Sequence, residues 1–202
     1  MLFRSHPIFG LYAYIAVFYL HPPSRWWGAF LPDLRWSLLA GVVTLVCVLR
    51  LPSQPDRPPW YGNAAAKVLI AYTIWLWIQN LWALDPVEQM SVSILFTKYV
   101  LLFYLFYRLA DNPTDLRRLL WVHFAGCVYL GWLAFSSDSG GRLEGVGGPG
   151  IDEANALGMQ LDTGIVIGSM LLLTGNKYER IASLLYMEIE ERRVGKECRS
   201  RW

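Results

Sequence analysis

Ala64-Ala-Ala-Lys-Val-Leu-Ile-Ala-Tyr-Thr-Ile-Trp-Leu-Trp-Ile-Gln-Asn-Leu-Trp-Ala-Leu84 is the stretch that decides the fold. It carries one charge, Lys67 near its start, and is otherwise apolar apart from Thr73, Gln79 and Asn80. A helix needs about 20 predominantly apolar residues to cross a bilayer, and inside one it satisfies its own backbone groups. This segment meets both conditions. A soluble helix of that length would alternate an apolar stripe with a polar face, and none is visible here.

Working outward, five more segments read the same way. Two are short, from about Pro7 to Leu20 and from about Arg35 to Leu49, and rely on flanking residues and local thinning to span. The others run from Val92 to Ala110, Leu119 to Phe135 and Ala156 to Leu173, and a seventh begins at Ile181. The expected fold is all-α: a polytopic transmembrane helical bundle of six spanning helices plus the start of a seventh. Composition agrees, since 54% hydrophobic and 15% aromatic is too apolar for an ordinary soluble chain of 202 residues. Trp26, Trp27, Trp36, Trp60, Trp82, Trp121 and Trp132 fall near segment ends, where a half-wet indole suits the membrane interface.

Lysine and arginine set the orientation. Arg4, Arg50, Arg57, Lys67, Arg108, Arg117, Arg118, Lys177 and Arg180 fall on one side, against Arg25, Arg35 and Arg142 on the other. That bias places the N-terminus in the cytoplasm. The glycine-rich loop Gly140–Asn155 then faces outward, the periplasm of a Gram-negative cell, and the protein is expected in the bacterial inner membrane.

Candidate residues follow from this topology. Arg142 is the strong cation of the outer loop; its planar fork suits phosphate oxygens, and its bland alternative is a salt bridge with Glu144 or Asp138. Gly145, Gly147 and Gly150 spell G-x-G-x-x-G, but no strand precedes them, so they read as backbone freedom rather than a nucleotide fingerprint. Asp152, Glu153 and Asn155 open the next helix and suit its N-terminus. Lys98 and Asp162 are charges inside apolar segments, each six residues and so roughly 9 Å past its outer end. Gln79 and Asn80 lie at about that depth, so the four form a candidate intramembrane polar cluster, either substrate-lining or a structural ion pair with amide bonds. His6, His21 and His123 are scattered without catalytic or ligand spacing, and Cys47, Cys127 and Cys198 suggest neither metal nor disulfide framework. No P-loop, Ser-His-Asp arrangement, zinc motif or nucleic-acid signature is present. No metal and no cofactor is expected.

The His21-Pro-Pro-Ser-Arg-Trp-Trp loop and the Gly-Arg-x-x-Gly run leading into Asp-Glu-Ala-Asn-Ala-Leu resemble the O-antigen ligase and polymerase superfamily. The resemblance covers about residues 3 to 187 and is nearest the exosortase-A-associated putative O-glycosylation ligases. It implies a metal-independent, inverting glycosyltransferase that moves a glycan from a polyprenyl-diphosphate carrier to a lipid or protein acceptor at the periplasmic face. Its partners would be that carrier, the acceptor and membrane lipids. It also implies that Arg142 lies near the lipid diphosphate and that Asn155 is the polar start of the next helix. A polymerase of the same superfamily, or a transporter or flippase using Lys98 and Asp162, are the alternatives. The family's large later periplasmic loop, with its essential arginine and histidine, has no counterpart here.

The run from Glu190 to Trp202 breaks abruptly from what precedes it and matches the translation of a common sequencing adapter. Residues 1–187 are therefore expected to be the N-terminal part of a multi-spanning membrane domain, and 188–202 a non-native tail. On that reading the chain is a fragment, without catalytic residues of its own and inactive by itself.

Overall fold

The computed structural model describes residues 7–28, 30–32, 34–51, 58–137, 143–148, 150–151 and 153–199, with side chains as far as 188. Among them the regular structure is helical, with no strand. Seven α-helices follow in order: α1 (Ile8–Leu20), α2 (Trp36–Leu49), α3 (Ala64–Gln79), α4 (Pro86–Leu109), α5 (Pro113–Ser136), α6 (Ala154–Thr174) and α7 (Lys177–Arg199). Short 3-10 turns, Pro22–Ser24 and Trp60–Gly62, precede α2 and α3.

A helix thus stands at each apolar segment, but the six expected spans are not all long enough. Three helices, α4, α5 and α6, have the length and apolarity to cross a membrane, whereas α1, α2 and α3 have 13, 14 and 16 residues. At 1.5 Å per residue these rise only about 20–24 Å, short of a hydrocarbon core of about 30 Å. Helix ends also differ from the apolar limits, because local hydrogen bonding sets them. Asp85 accepts the Val87 and Glu88 N–H groups at 3.0 and 3.1 Å, and Pro86 occupies the first turn, so α4 starts six residues before Val92. Asn80 ends α3 early. Its amide donates to the carbonyls of Leu76 and Trp77 at 3.1 and 3.3 Å, and Leu81 and Trp82 follow as turns.

The chain forms two compact units, Met1–Leu11 with Val42–Asp115, and Tyr12–Gly41 with Leu116–Trp202. In the first, α3 and α4 make an antiparallel hairpin. Asn80 donates to the Ser93 hydroxyl at 2.9 Å, Trp77 to Thr97 at 3.0 Å, and the Tyr72 and Phe96 rings meet at 5.0 Å. Tyr107 reaches the Pro58 carbonyl at 2.6 Å at the far end. Much of this hairpin's surface is apolar, with Val68, Tyr72, Ile74, Trp75, Ile94 and Leu95 exposed. A surface of that kind is at home in lipid rather than water.

In the second unit α5, α6 and α7 pack around Phe124, Cys127, Leu130, Leu157, Leu161 and Tyr186, all buried. Close approach depends on small residues. A Cβ at Gly126 would lie 2.2 Å from the Tyr19 ring, and one at Gly164 would lie 2.6 Å from the Tyr186 hydroxyl and 2.7 Å from Cys127 Cβ. The Tyr186 hydroxyl then donates to the Leu161 carbonyl at 2.8 Å.

Candidate functional site

The second unit carries polar groups at three levels. At one end, the loop after α1 meets the loop before α6. Arg25 Nε donates to the Leu20 carbonyl at 3.1 Å, closing the end of α1, while Nη2 donates to the Val146 carbonyl at 3.1 Å. The guanidinium carbon sits 5.5 Å from the centre of the Tyr129 ring, a cation–π distance. Beside it His21 adopts a left-handed backbone, φ 36°. The Ser24 hydroxyl donates to the His21 carbonyl at 3.0 Å, so at 2.9 Å the ring Nδ1–H donates to Ser24 Oγ and Nε2 is the acceptor of the neutral ring. Gly148, φ 83°, lies against that ring, where a Cβ would come within 2.9 Å of His21 Cγ. Leu143 and Ile151 of this loop are buried. Among the described residues Arg25 Nη1 and His21 Nε2 have no partner, so a cationic donor and an imidazole nitrogen remain for a ligand. Trp26 and Phe30 are largely exposed and Trp27 less so, a placement that suits half-wet aromatic rings.

One level in, three helices contribute a ring of hydrogen-bonding side chains. Tyr19 comes from α1, His123 and Cys127 from α5, and Gln160 and Thr163 from α6. The Tyr19 hydroxyl lies 3.0 Å from His123 Nδ1 and 3.5 Å from Cys127 Sγ, and it accepts a bond from Gln160 Nε2. His123 Nε2 is 2.9 Å from Thr163 Oγ1, and Thr163 donates to the Gln160 carbonyl at 2.6 Å. Cys127 donates to the same carbonyl at 3.5 Å. His123 precedes Tyr129 by six residues on α5, so the ring lies roughly 9 Å along the helix from the Arg25 level.

At the opposite end, Glu179 is buried among donors. Trp121 Nε1 reaches it at 2.8 Å, Arg117 Nε at 3.0 Å with Nη2 on the second oxygen, and the Asn176 N–H at 2.6 Å. Asn176 in turn accepts the Tyr178 and Glu179 N–H groups at 3.1 Å, completing a capping box that starts α7. Hydrogen bonds from Trp121, then from Arg117 and the Asn176 N–H, hold the Glu179 carboxyl down at about 2. The α1–α2 and α5–α6 loops therefore share one end of this unit, and the start of α5 and the α6–α7 turn share the other.

The residues singled out from sequence are placed as follows. Arg142 lies outside the described residues, as do Asp138 and Asp152. Asn155 is exposed as the second residue of α6 and does not cap it; Glu153 occupies the cap without a side-chain bond. The G-x-G-x-x-G glycines serve the backbone, with positive φ at Gly145 and Gly150 and, at Gly147, no room for a Cβ beside the Ile151 carbonyl. Lys98 and Asp162 are exposed and belong to different units, and among the described residues neither has a hydrogen bond or ion pair within its own. Because α4 begins at Pro86, Lys98 stands 12 residues, about 18 Å, into it rather than 9 Å. Gln79 and Asn80 end α3 instead of lying inside it. Asn80 ties the hairpin, while Gln79 lines an open recess of about 460 Å3 with Trp82, Asp85, Glu88 and Gln89. No group of three metal-ligating side chains occurs among the described residues.

Sequence reasoning missed the ring and the clamp made by Arg25. A signal for the ring was present: His123 and Cys127 stand at i, i+4, and Gln160 and Thr163 at i, i+3, so each polar pair shares one helix face within an apolar run. Nothing in the sequence linked these pairs to Tyr19. Compared with known proteins, the chain matches no family model, no curated protein and no solved structure.

Proposed function

We propose that the chain is part of an O-antigen ligase-like membrane glycosyltransferase. It would transfer a glycan from a polyprenyl-diphosphate carrier to an acceptor hydroxyl at the periplasmic face of the inner membrane. The observation that carries this reading is the Arg25 clamp, which joins the two loops on which the resemblance rests, His21–Trp27 and the glycine-rich loop. They lie at one end of the unit, as alternating crossings with both loops outside require. The full topology belongs to the same reading: six spans and the start of a seventh, with the N-terminus in the cytoplasm. The short α1, α2 and α3 would cross with help from flanking aromatic and basic residues and local thinning.

The chemistry is an inverting displacement. The acceptor hydroxyl oxygen bonds to the anomeric carbon as the bond to the diphosphate oxygen breaks, the polyprenyl diphosphate departs, and the hydroxyl proton passes to water. Arg25 and Arg142 would meet the charge of that leaving group, since guanidinium forks pair with phosphate oxygens. Disrupting the gene in its host tests the reading. Lipid extracts are expected to accumulate glycan on the polyprenyl carrier while the acceptor loses it. Unchanged carrier-linked glycan with a fully decorated acceptor overturns the proposal.

A further inference from the structure

The ring of Tyr19, His123, Cys127, Gln160 and Thr163 is not used by the transfer chemistry, and its hydrogen bonds can be assigned donor by donor. Gln160 Nε2 has only protons to offer, so Tyr19 accepts there. Thr163 gives its proton to the Gln160 carbonyl, so toward His123 it must accept. His123 Nε2 therefore carries a proton. In the neutral ring Nδ1 is then bare and accepts from the Tyr19 hydroxyl at 3.0 Å. Every group is satisfied.

A second complete arrangement exists with one more proton. If Nδ1 is protonated it donates to Tyr19, whose oxygen has two lone pairs and accepts from both His123 and Gln160. The Tyr19 proton then turns to Cys127 Sγ, 3.5 Å away. Cys127 still donates to the Gln160 carbonyl, and Thr163 is unchanged. No heavy-atom bond is made or broken. The His123–Thr163 edge of the ring is exposed rather than packed inside the unit, so the added proton has a side from which to enter. The titratable groups nearest His123 by contact or along the chain are Tyr19 from α1, Cys127 one turn on in α5, Tyr186 from α7, which packs at Gly164 beside Cys127, and Asp162 from α6, the sequence neighbour of Thr163. Of these, Asp162, next to Thr163 and exposed, is the carboxylate.

We propose that His123, set in this ring between α1, α5 and α6, is a reversible proton-binding site, with Tyr19 as the hydroxyl that switches between His123 and Cys127. The proposal stands apart from the glycosyl-transfer reading and survives its failure. The test uses the full chain in lipid nanodiscs, with 15N-histidine NMR and infrared spectroscopy of the thiol S–H stretch. His123→Gln assigns the imidazole signals and Cys127→Ala the thiol band. Between about pH 4 and pH 9, Nδ1 of His123 is expected to pass from bare to protonated in one step while Nε2 stays protonated. The Cys127 band shifts at the same midpoint. In Tyr19→Phe the imidazole still titrates but the thiol band stays still. The proposal is overturned if Nδ1 does not change over that range, if it changes with the thiol band fixed in the unmodified chain, or if the band moves equally in Tyr19→Phe. Should Tyr19→Phe fail to fold, the coincidence or separation of the two midpoints in the unmodified chain decides.

Discussion

Gly126→Ala tests whether α5 is the shelf on which Tyr19 stands. The added methyl carbon would sit 2.2, 2.3 and 2.6 Å from Cδ2, Cγ and Cε2 of the Tyr19 ring. Ordinary carbon contact begins near 3.5 Å, so the ring must retreat by about 1.3 Å. The hydroxyl, now 3.0 Å from His123 Nδ1, would then stand about 4 Å away, past hydrogen-bond reach. Overpacking of this size costs about 1–3 kcal/mol, and each lost hydrogen bond about 1 kcal/mol. Alanine's better helix propensity returns up to about 1 kcal/mol. The net expectation is a loss of about 1–4 kcal/mol. Gly158→Ala is the matched control, because it is also helical, lies in the same unit and has nothing within 4 Å of the new methyl. It should be neutral or stabilising by up to about 1 kcal/mol. Reversible unfolding in mixed micelles, followed by far-ultraviolet circular dichroism as the denaturing detergent fraction rises, measures both. If Gly126→Ala unfolds at the same fraction as Gly158→Ala, or a higher one, α1 does not rest on α5 as described.

Two further outcomes follow from the ends of the same unit. Glu179 has its carboxyl depressed to about 2, so its contribution is fully present above the unfolded-state value near 4.5 and is lost as pH falls toward about 2. Thermal unfolding of the chain should drop across that window, and Glu179→Gln should flatten the drop while lowering stability at neutral pH; an unaltered acid profile in the variant would remove Glu179 from the account. Gly148→Ala places a side chain at φ 83° and against the His21 ring, and should cost about 1–3 kcal/mol while freeing the glycine-rich loop to faster amide hydrogen exchange; exchange at Gly145 to Gly148 no faster than in the unmodified chain would contradict it.

The apolar runs located each helix, because burying or lipid-facing a long stretch leaves a compositional trace that needs no partner. They did not locate the ends. Lipid cares about side chains, whereas a helix ends where its last carbonyls and first N–H groups find other partners, and those partners were Asn80, Asp85 and the Asn176–Glu179 box. Lys98, six residues past the apolar limit at Val92, consequently stands 12 residues into α4, and Gln79 and Asn80 stand at the end of α3. That the α1–α2 and α5–α6 loops share one end of their unit was legible, since an alternating up-and-down order of helices puts both there. Arg25 was legible only as a flanking charge. The ring was illegible as a whole: Tyr19 is 104 residues from His123 and 141 from Gln160, and no local pattern spans such distances.

The clamp and the ring are consequences of one structural problem, the end of α1. A helix of 13 residues has its final carbonyls unpaired, and in an apolar setting each must be answered. Arg25 answers the carbonyl of Leu20 and, with its other arm, holds the glycine-rich loop at Val146. One residue before Leu20, Tyr19 is pressed onto Gly126, which brings its hydroxyl to the α5–α6 seam. Had Tyr19 been Phe, His123 Nδ1 would face a bare edge and Gln160 would lose its acceptor. The ring is complete only because α1 delivers one hydroxyl, and α1 is held at that depth by the arginine above it and the glycine beneath. A ligand that draws the Arg25 guanidinium away from Leu20 would therefore loosen the turn that carries Tyr19, so the loop platform and the proton-binding ring share a single mechanical element.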